Sequence, residues 1–311
     1  MKKISLKTVL PFIYVSIALF SCEGQSQGKR ENRGAAISSE FSNYWFQGKA
    51  ELTSYNLSQA RYGELRDGEA VLIFVTEDFS KSKQVKLDDP FKNSNDAVKV
   101  LKTNFTRKFN TGLYPYSMME SVFTPVDRQN YPNSLKLTTS SQEWCGHTFS
   151  QLNLDGNKFA FSGKSYFESE GDLETKLDNA LLESEIFNLI RLGPDRWPSG
   201  ELDIIPSGFF LRLSHTDVEV QKANLTIENG GETNTLEIDY SGIERKVAIE
   251  FASKFPYEII GWKETYKSGF GKKAKVMTTT ATKKKTILLD YWTRNHVADS
   301  TYRTQLELLG N

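Results

Sequence analysis

From residue 48 onward the chain is a succession of stretches in which β-branched and aromatic side chains alternate with polar ones, each closed by a turn bearing Gly, Asn or Asp. A period of two places alternate side chains on opposite faces, so such stretches fold as half-buried strands. Strands are expected at 48–62, 69–79, 97–106, 113–124, 135–141, 143–154 and 158–168, and again at 200–214, 217–228, 233–240, 243–251, 256–267 and 275–293. Ala70-Val71-Leu72-Ile73-Phe74-Val75 is continuously apolar and short, the pattern of a strand covered on both faces. Asp67-Gly68, Asn110-Thr111-Gly112, Asp155-Gly156-Asn157 and Asn229-Gly230-Gly231 are the expected turns. Thr278-Thr279-Thr280 and Lys283-Lys284-Lys285 suit an exposed sheet edge, where lysine discourages pairing with another chain.

One stretch has a different period. Over 175–192, Leu177 and Leu181 are four apart, and Leu182, Ile186 and Leu189 continue at four and three. Thr175 followed by Asp178 resembles a capping box and Gly193-Pro194 is a stop, so one long helix is expected there. A short C-terminal helix is expected at 299–309. The fold class that follows is mainly β with some helix (α+β): two curved antiparallel sheet modules, half-barrel-like, at 41–170 and 171–311, the second opening with the helix. No repeat of 20–50 residues marks a solenoid or propeller.

The first 40 residues are of another kind. Lys2, Lys3 and Lys7 precede a short apolar run, Thr8 to Phe20, and then Leu19-Phe20-Ser21-Cys22. The run is too short for a bilayer span and reads as a signal peptide over 1–21. Its end resembles a bacterial lipobox, apart from the bulky Phe20, and the resemblance makes Cys22 the expected site of lipid attachment and the first residue of the mature chain. Several acyl chains together anchor a protein stably, because each buried CH₂ contributes about 0.8 kcal/mol. Residues 22–40 read as a lipidated flexible tether, polar and without a dense acidic run. The expected location is the periplasmic side of the outer membrane, with the cell surface as the alternative, and the expected partners are the membrane and a lipid or envelope protein.

Composition excludes several classes. The 39 basic and 39 acidic residues cancel, and loss of 1–21 leaves a net charge of −3, so nucleic acid is not an expected partner. Three His and two Cys leave little for metal chemistry, and no pair has the doubled spacing of a zinc site. No cofactor or metal is expected. With Cys22 acylated, Cys145 stands alone, and a free cysteine is among the most buried residue types. Yet Gln142-Glu143-Trp144-Cys145-Gly146-His147 sets a thiol and an imidazole two apart, on one face of a strand, where His147 would activate Cys145 as a nucleophile. That gives an enzymatic alternative beside the structural one. The acidic stretch Glu168, Glu170, Asp172 and Glu174 lacks a calcium-loop pattern and reads as a solvated turn before the helix. The strand aromatics, among them Trp144, Phe149, Tyr166, Trp262 and Trp292, suggest an apolar concave face for an acyl chain or peptide; filling a β core is the plainer role.

Four segments, 44–79, 110–126, QEWCGHTF at 142–149 and KSYFESEGD at 164–172, resemble a family of lipoproteins from Gram-negative bacteria whose members carry the label septum formation inhibitor Maf. The resemblance covers nearly all of the mature chain. Taken at face value, the label implies a nucleotide pyrophosphatase; the Ser-x-Ser-Pro-Arg-Arg-like motif of that activity does not occur in this sequence. The expectation is therefore a non-enzymatic binding lipoprotein, with a Cys145/His147 enzyme and a pyrophosphatase as alternatives.

Overall fold

Tyr62 and Gly63 both take positive φ, 56° and 76°, and turn the chain back between its first two long strands. The expected turn at Asp67-Gly68 instead lies inside the second strand. Gly68 is there because neighbouring backbone passes so close that a Cβ would sit 2.3 Å from the Lys108 carbonyl oxygen. The computed structural model describes residues 38–308 apart from 169. The signal peptide, Cys22 and nearly all of the tether lie outside these residues.

A short helix α1 (Ser39–Trp45) leads into β1 (Ala50–Arg61), β2 (Glu64–Ser80), β3 (Val85–Lys86), β4 (Ala97–Thr111) and β5 (Tyr114–Pro125). There follow β6 (Lys136–Glu143), β7 (Gly146–Asp155), β8 (Lys158–Ser165), β9 (Leu173–Asp178) and β10 (Leu181–Leu182). Helix α2 (Glu185–Leu192), β11 (Gly200–Ile205) and helix α3 (Gly208–Ser214) come next. The chain ends with β12 (Gln221–Asn229), β13 (Thr233–Tyr240), β14 (Arg245–Ala252), β15 (Ile259–Ser268), β16 (Lys275–Leu289) and helix α4 (Thr301–Gln305). No helix among the described residues is long and apolar enough to cross a membrane.

The fold is mainly β, as expected, and its two halves run into one sheet. The order is β10-β11-β12-β13-β14-β15-β16-β1-β2-β4-β5-β6-β7-β8-β9, with β3 beside β2. Read cyclically this is one meander, antiparallel except for the β10–β11 pair and open between β9 and β10. Only Asn179 and Ala180 separate those edge strands in the chain, so the edges approach within about 11 Å there and the sheet curls round on itself. β16 is therefore not an edge: it pairs β15 on one side and β1 on the other, and its lysines lie on a strand inside the sheet.

The expected helix over 175–192 survives only as α2. Residues 173–178 pair with β8 as an edge strand, with Leu177 turned to a core and its neighbours exposed. The four-residue leucine spacing across Asn179-Ala180 is coincidental, and a strand with one buried side chain imitates it. α3 is also a departure: the apolar run from 200 to 214 begins as β11 and breaks at Pro206.

All eight residues of α2 are buried. Phe187 meets Phe105 of β4 and Trp262 of β15, at ring-centre distances of 5.6 and 5.8 Å. Asn188, one turn on, donates to the Leu101 carbonyl (3.0 Å) and to Thr124 Oγ1 (2.8 Å). Arg191 pairs with Glu51 of β1. Strands β1, β5 and β15 are not neighbours, so these contacts place α2 in the hollow of the curl. Its polar stripe, Glu185, Asn188 and Arg191, recurs every three residues and finds partners on the surrounding chain: Ser134 before β6, Thr124 of β5 and Glu51 of β1.

Across the same hollow runs a line of buried charges. Arg107 of β4 pairs with Glu264 of β15, Glu264 lies 3.6 Å from Arg245 of β14, and Arg245 grips Glu183 with two donors. Tyr240 donates to Glu183 at 2.5 Å. Burial disfavours the Glu264 carboxylate, but Arg107 and Arg245 outweigh it and hold its pKa below the usual range.

A candidate ligand cavity beneath helix α3

Ser207 caps α3, its hydroxyl accepting from the Phe209 amide at 3.2 Å. Gly208 then lets the helix touch the sheet. A Cβ there would lie 2.1 Å from Thr139 Oγ1 of β6, so no larger residue fits without displacement. α3 and the chain following it thus lean over β6, β7 and β8 and leave a cavity of about 300 Å³, at the low end of the range for small-molecule sites. Phe149, Phe161, Leu211 and Val218 supply apolar wall. A narrow extension runs deeper, to Leu137 and Leu152.

The rim is polar. His215, in left-handed conformation at the end of α3, accepts a place beside Arg212, one turn earlier. Both meet Glu170: Arg212 Nη1 donates to its Oε1 at 2.6 Å and His215 Nδ1 lies 2.7 Å from the same oxygen. Ser165 donates to the other oxygen at 2.7 Å. Burial raises the Glu170 pKa, but the bonds from His215 and Ser165 and the charge of Arg212 win, so the carboxylate stays ionised below its usual range. Arg212 lies over the Phe167 ring at 4.4 Å, and Lys164 lines the same rim. The arrangement offers an apolar slot under a lip of paired charges.

Behind the cavity wall sits Glu120. Its Oε2 accepts from Thr139 at 3.1 Å and from Ser207 at 3.3 Å, and Ser184 donates to the other oxygen. Burial, with the charge of Glu183, pushes this carboxyl's pKa up against the opposing pull of Ser184 and Arg107.

The residues singled out from the sequence scatter. Cys145 is exposed, not buried, in the two-residue turn Trp144-Cys145 between β6 and β7. His147 is one strand position beyond that turn, opposite Gln142, so the expected shared strand face does not form. The Cys145 amide donates to Glu143 Oε2 at 2.7 Å, and Glu143, by hydrogen bond and charge, raises the thiol's pKa. That is the reverse of what nucleophilic activation needs. The five aromatics do not share a face. Trp262 is in the core against Tyr55, Phe105 and Phe187; Trp144, Tyr166 and Trp292 are exposed at separate turns; Phe149 alone of the five lines the cavity. In the acidic stretch, Glu170 joins Arg212 and His215, while Asp172 and Glu174 pair with Lys164. No helix follows it. Sequence reasoning missed Arg212 altogether, because it fell within an expected strand. The Arg-x-x-His spacing of a helical turn was the available signal.

No group of three or more His, Cys, Asp or Glu able to hold a metal occurs among the described residues. No protein-family model, curated protein or solved structure matches the chain.

Proposed function

We propose that this is a lipid-anchored protein of the outer membrane, held through Cys22 on the periplasmic side, that binds a compact amphipathic ligand in the cavity beneath α3. The observation that carries the reading is the pairing of an apolar slot with the Arg212–His215–Glu170 lip and Lys164. The volume suits a single apolar tail or side chain with a polar head, not a whole diacyl lipid. An enzymatic role for Cys145 and His147 is disfavoured by the raised thiol pKa and their separate placement. The pyrophosphatase activity of the family label finds no support in a cavity whose one partly buried carboxylate is tied to Arg212 and His215.

The test is native mass spectrometry of residues 23–311 after incubation with a bacterial envelope extract. A bound species of defined mass is expected on the wild-type chain and absent from Leu211→Trp, which fills the slot. A clean unliganded mass for both, with fold retained, overturns the proposal.

A further inference from the structure

In an antiparallel meander alternate turns lie at the same end, and at one end of this sheet the turns carry large apolar side chains into solvent. Leu113 is 82% exposed between β4 and β5, Trp144 68% between β6 and β7, Tyr166 70% after β8, and Phe270 54% between β15 and β16. Neighbouring turns touch at two places. Phe270 lies 6.1 Å from the Tyr62 ring of the β1–β2 turn, and Tyr166 covers Gly146 so closely that a Cβ there would be 2.5 Å from its ring. His215, on the cavity lip, lies 5.3 Å from Phe270. Elsewhere, exposed apolar side chains such as Phe91 and Val297 stand singly, which is ordinary for a protein surface.

Charge distinguishes this end further. The Phe270 turn continues directly into Lys272, Lys273 and Lys275, all exposed. Glu64, beside Tyr62, is already paired with Arg66. Exposed carboxylates also occur at this end, among them Glu168, Asp217 and Glu244, but they lie on other turns and loops than the lysine run.

We infer that this crown of turn tips is a docking surface for an anionic lipid bilayer, with Phe270, Trp144 and Leu113 entering the interface and the lysine run meeting lipid phosphates. Aromatic side chains with lysine neighbours are suited to the boundary between hydrocarbon and water. The reach is sufficient for the membrane that holds the anchor. Ser38 lies at the far end of the sheet, beside Phe255 and Tyr257. β1 spans about 40 Å, and the sixteen residues from Cys22 extend to at most about 55 Å. The inference goes beyond the ligand reading and stands without it, while its reach argument rests on the proposed anchor at Cys22; if both hold, docking brings the lip of the cavity to the lipid surface.

The experiment is co-sedimentation of residues 23–311, which include every described residue, with vesicles of phosphatidylethanolamine containing or lacking a quarter phosphatidylglycerol. Binding is expected only with the anionic lipid. Lys272→Glu with Lys273→Glu lowers it by about 5-fold or more for each charge, and Phe270→Ser with Trp144→Ser by about tenfold or more. Phe91→Ser leaves it unchanged, and so does Leu211→Trp, which separates failure of the crown from failure of the cavity reading. Absence of wild-type binding, or binding insensitive to the crown variants, overturns the inference.

Discussion

Replacing Arg107 by Met tests whether the charges inside the hollow hold the curl together. Arg107 and Glu264 are both nearly inaccessible and belong to strands that are not neighbours in the sheet. Met fills similar space but leaves Glu264 with only Arg245, at 3.6 Å. Breaking one side of a buried pair costs about 3–5 kcal/mol, because the survivor keeps its desolvation without its partner. With about 2.1 cal/mol/K of unfolding entropy per residue over about 270 described residues, 1 kcal/mol moves Tm by about 1.8 °C. Arg107→Met should then lower Tm by about 5–9 °C, and Glu264→Leu by at least as much, since it strands Arg107 and weakens the hold on Arg245. The double variant removes one charge of each sign and leaves Arg245 clamped on Glu183, so it should recover most of the loss. Urea melts of the four proteins should give a coupling of about 3 kcal/mol or more. Two losses that simply add would refute the reasoning: the pair would then be two independent side chains and not a tie across the hollow.

Three further outcomes follow from the geometry. Glu120 keeps its proton to higher pH folded than unfolded, so the stability it lends is full below the ordinary carboxylate range and lost as pH rises towards its raised folded value. Glu120→Gln should thus gain stability relative to wild type between pH 5 and pH 8, and parallel urea midpoints across that range would count against it. Cys145 should react with a thiol reagent in the folded protein, and Glu143→Gln should speed that reaction at pH 8 by lowering the thiol's pKa; no change would remove Glu143 as the cause. Gly68→Ala should destabilise by about 1–3 kcal/mol as its Cβ meets the Lys108 carbonyl, read as a fall in Tm, whereas a neutral result would mean that β4 yields freely.

How far the sequence could be read depends on the range of the interaction. β13 occupies 233–240 as expected, because its alternation and flanking turns are local. The 175–192 stretch misled because leucines four apart serve a helix or, across Asn179-Ala180, two strand ends equally well. Nothing local announces that Arg107 will face Glu264, 157 residues later, or that Glu170 will meet Arg212. Opposite charges scattered along a neutral chain look like solvated surface until the curl brings them inside. Phe149 was legible as a cavity residue only by being aromatic on a strand; what selected it over Trp144 was the approach of Gly208 to Thr139.

The place of β1 has a consequence for how the chain reaches this state. Its first nine residues pair with β16 between Thr280 and Leu289, about 230 residues later. A chain that emerges N-terminus first presents β1 early and its partner last. Until then one flank of a twelve-residue strand, rich in backbone donors and acceptors, has no mate in its own molecule. Joining such distant segments is entropically slow, so the meander from β2 to β15 should assemble first and the β1–β16 seam close last. During that interval the nascent protein is most exposed to self-association, and chains truncated before Lys275 should aggregate rather than fold into a smaller sheet.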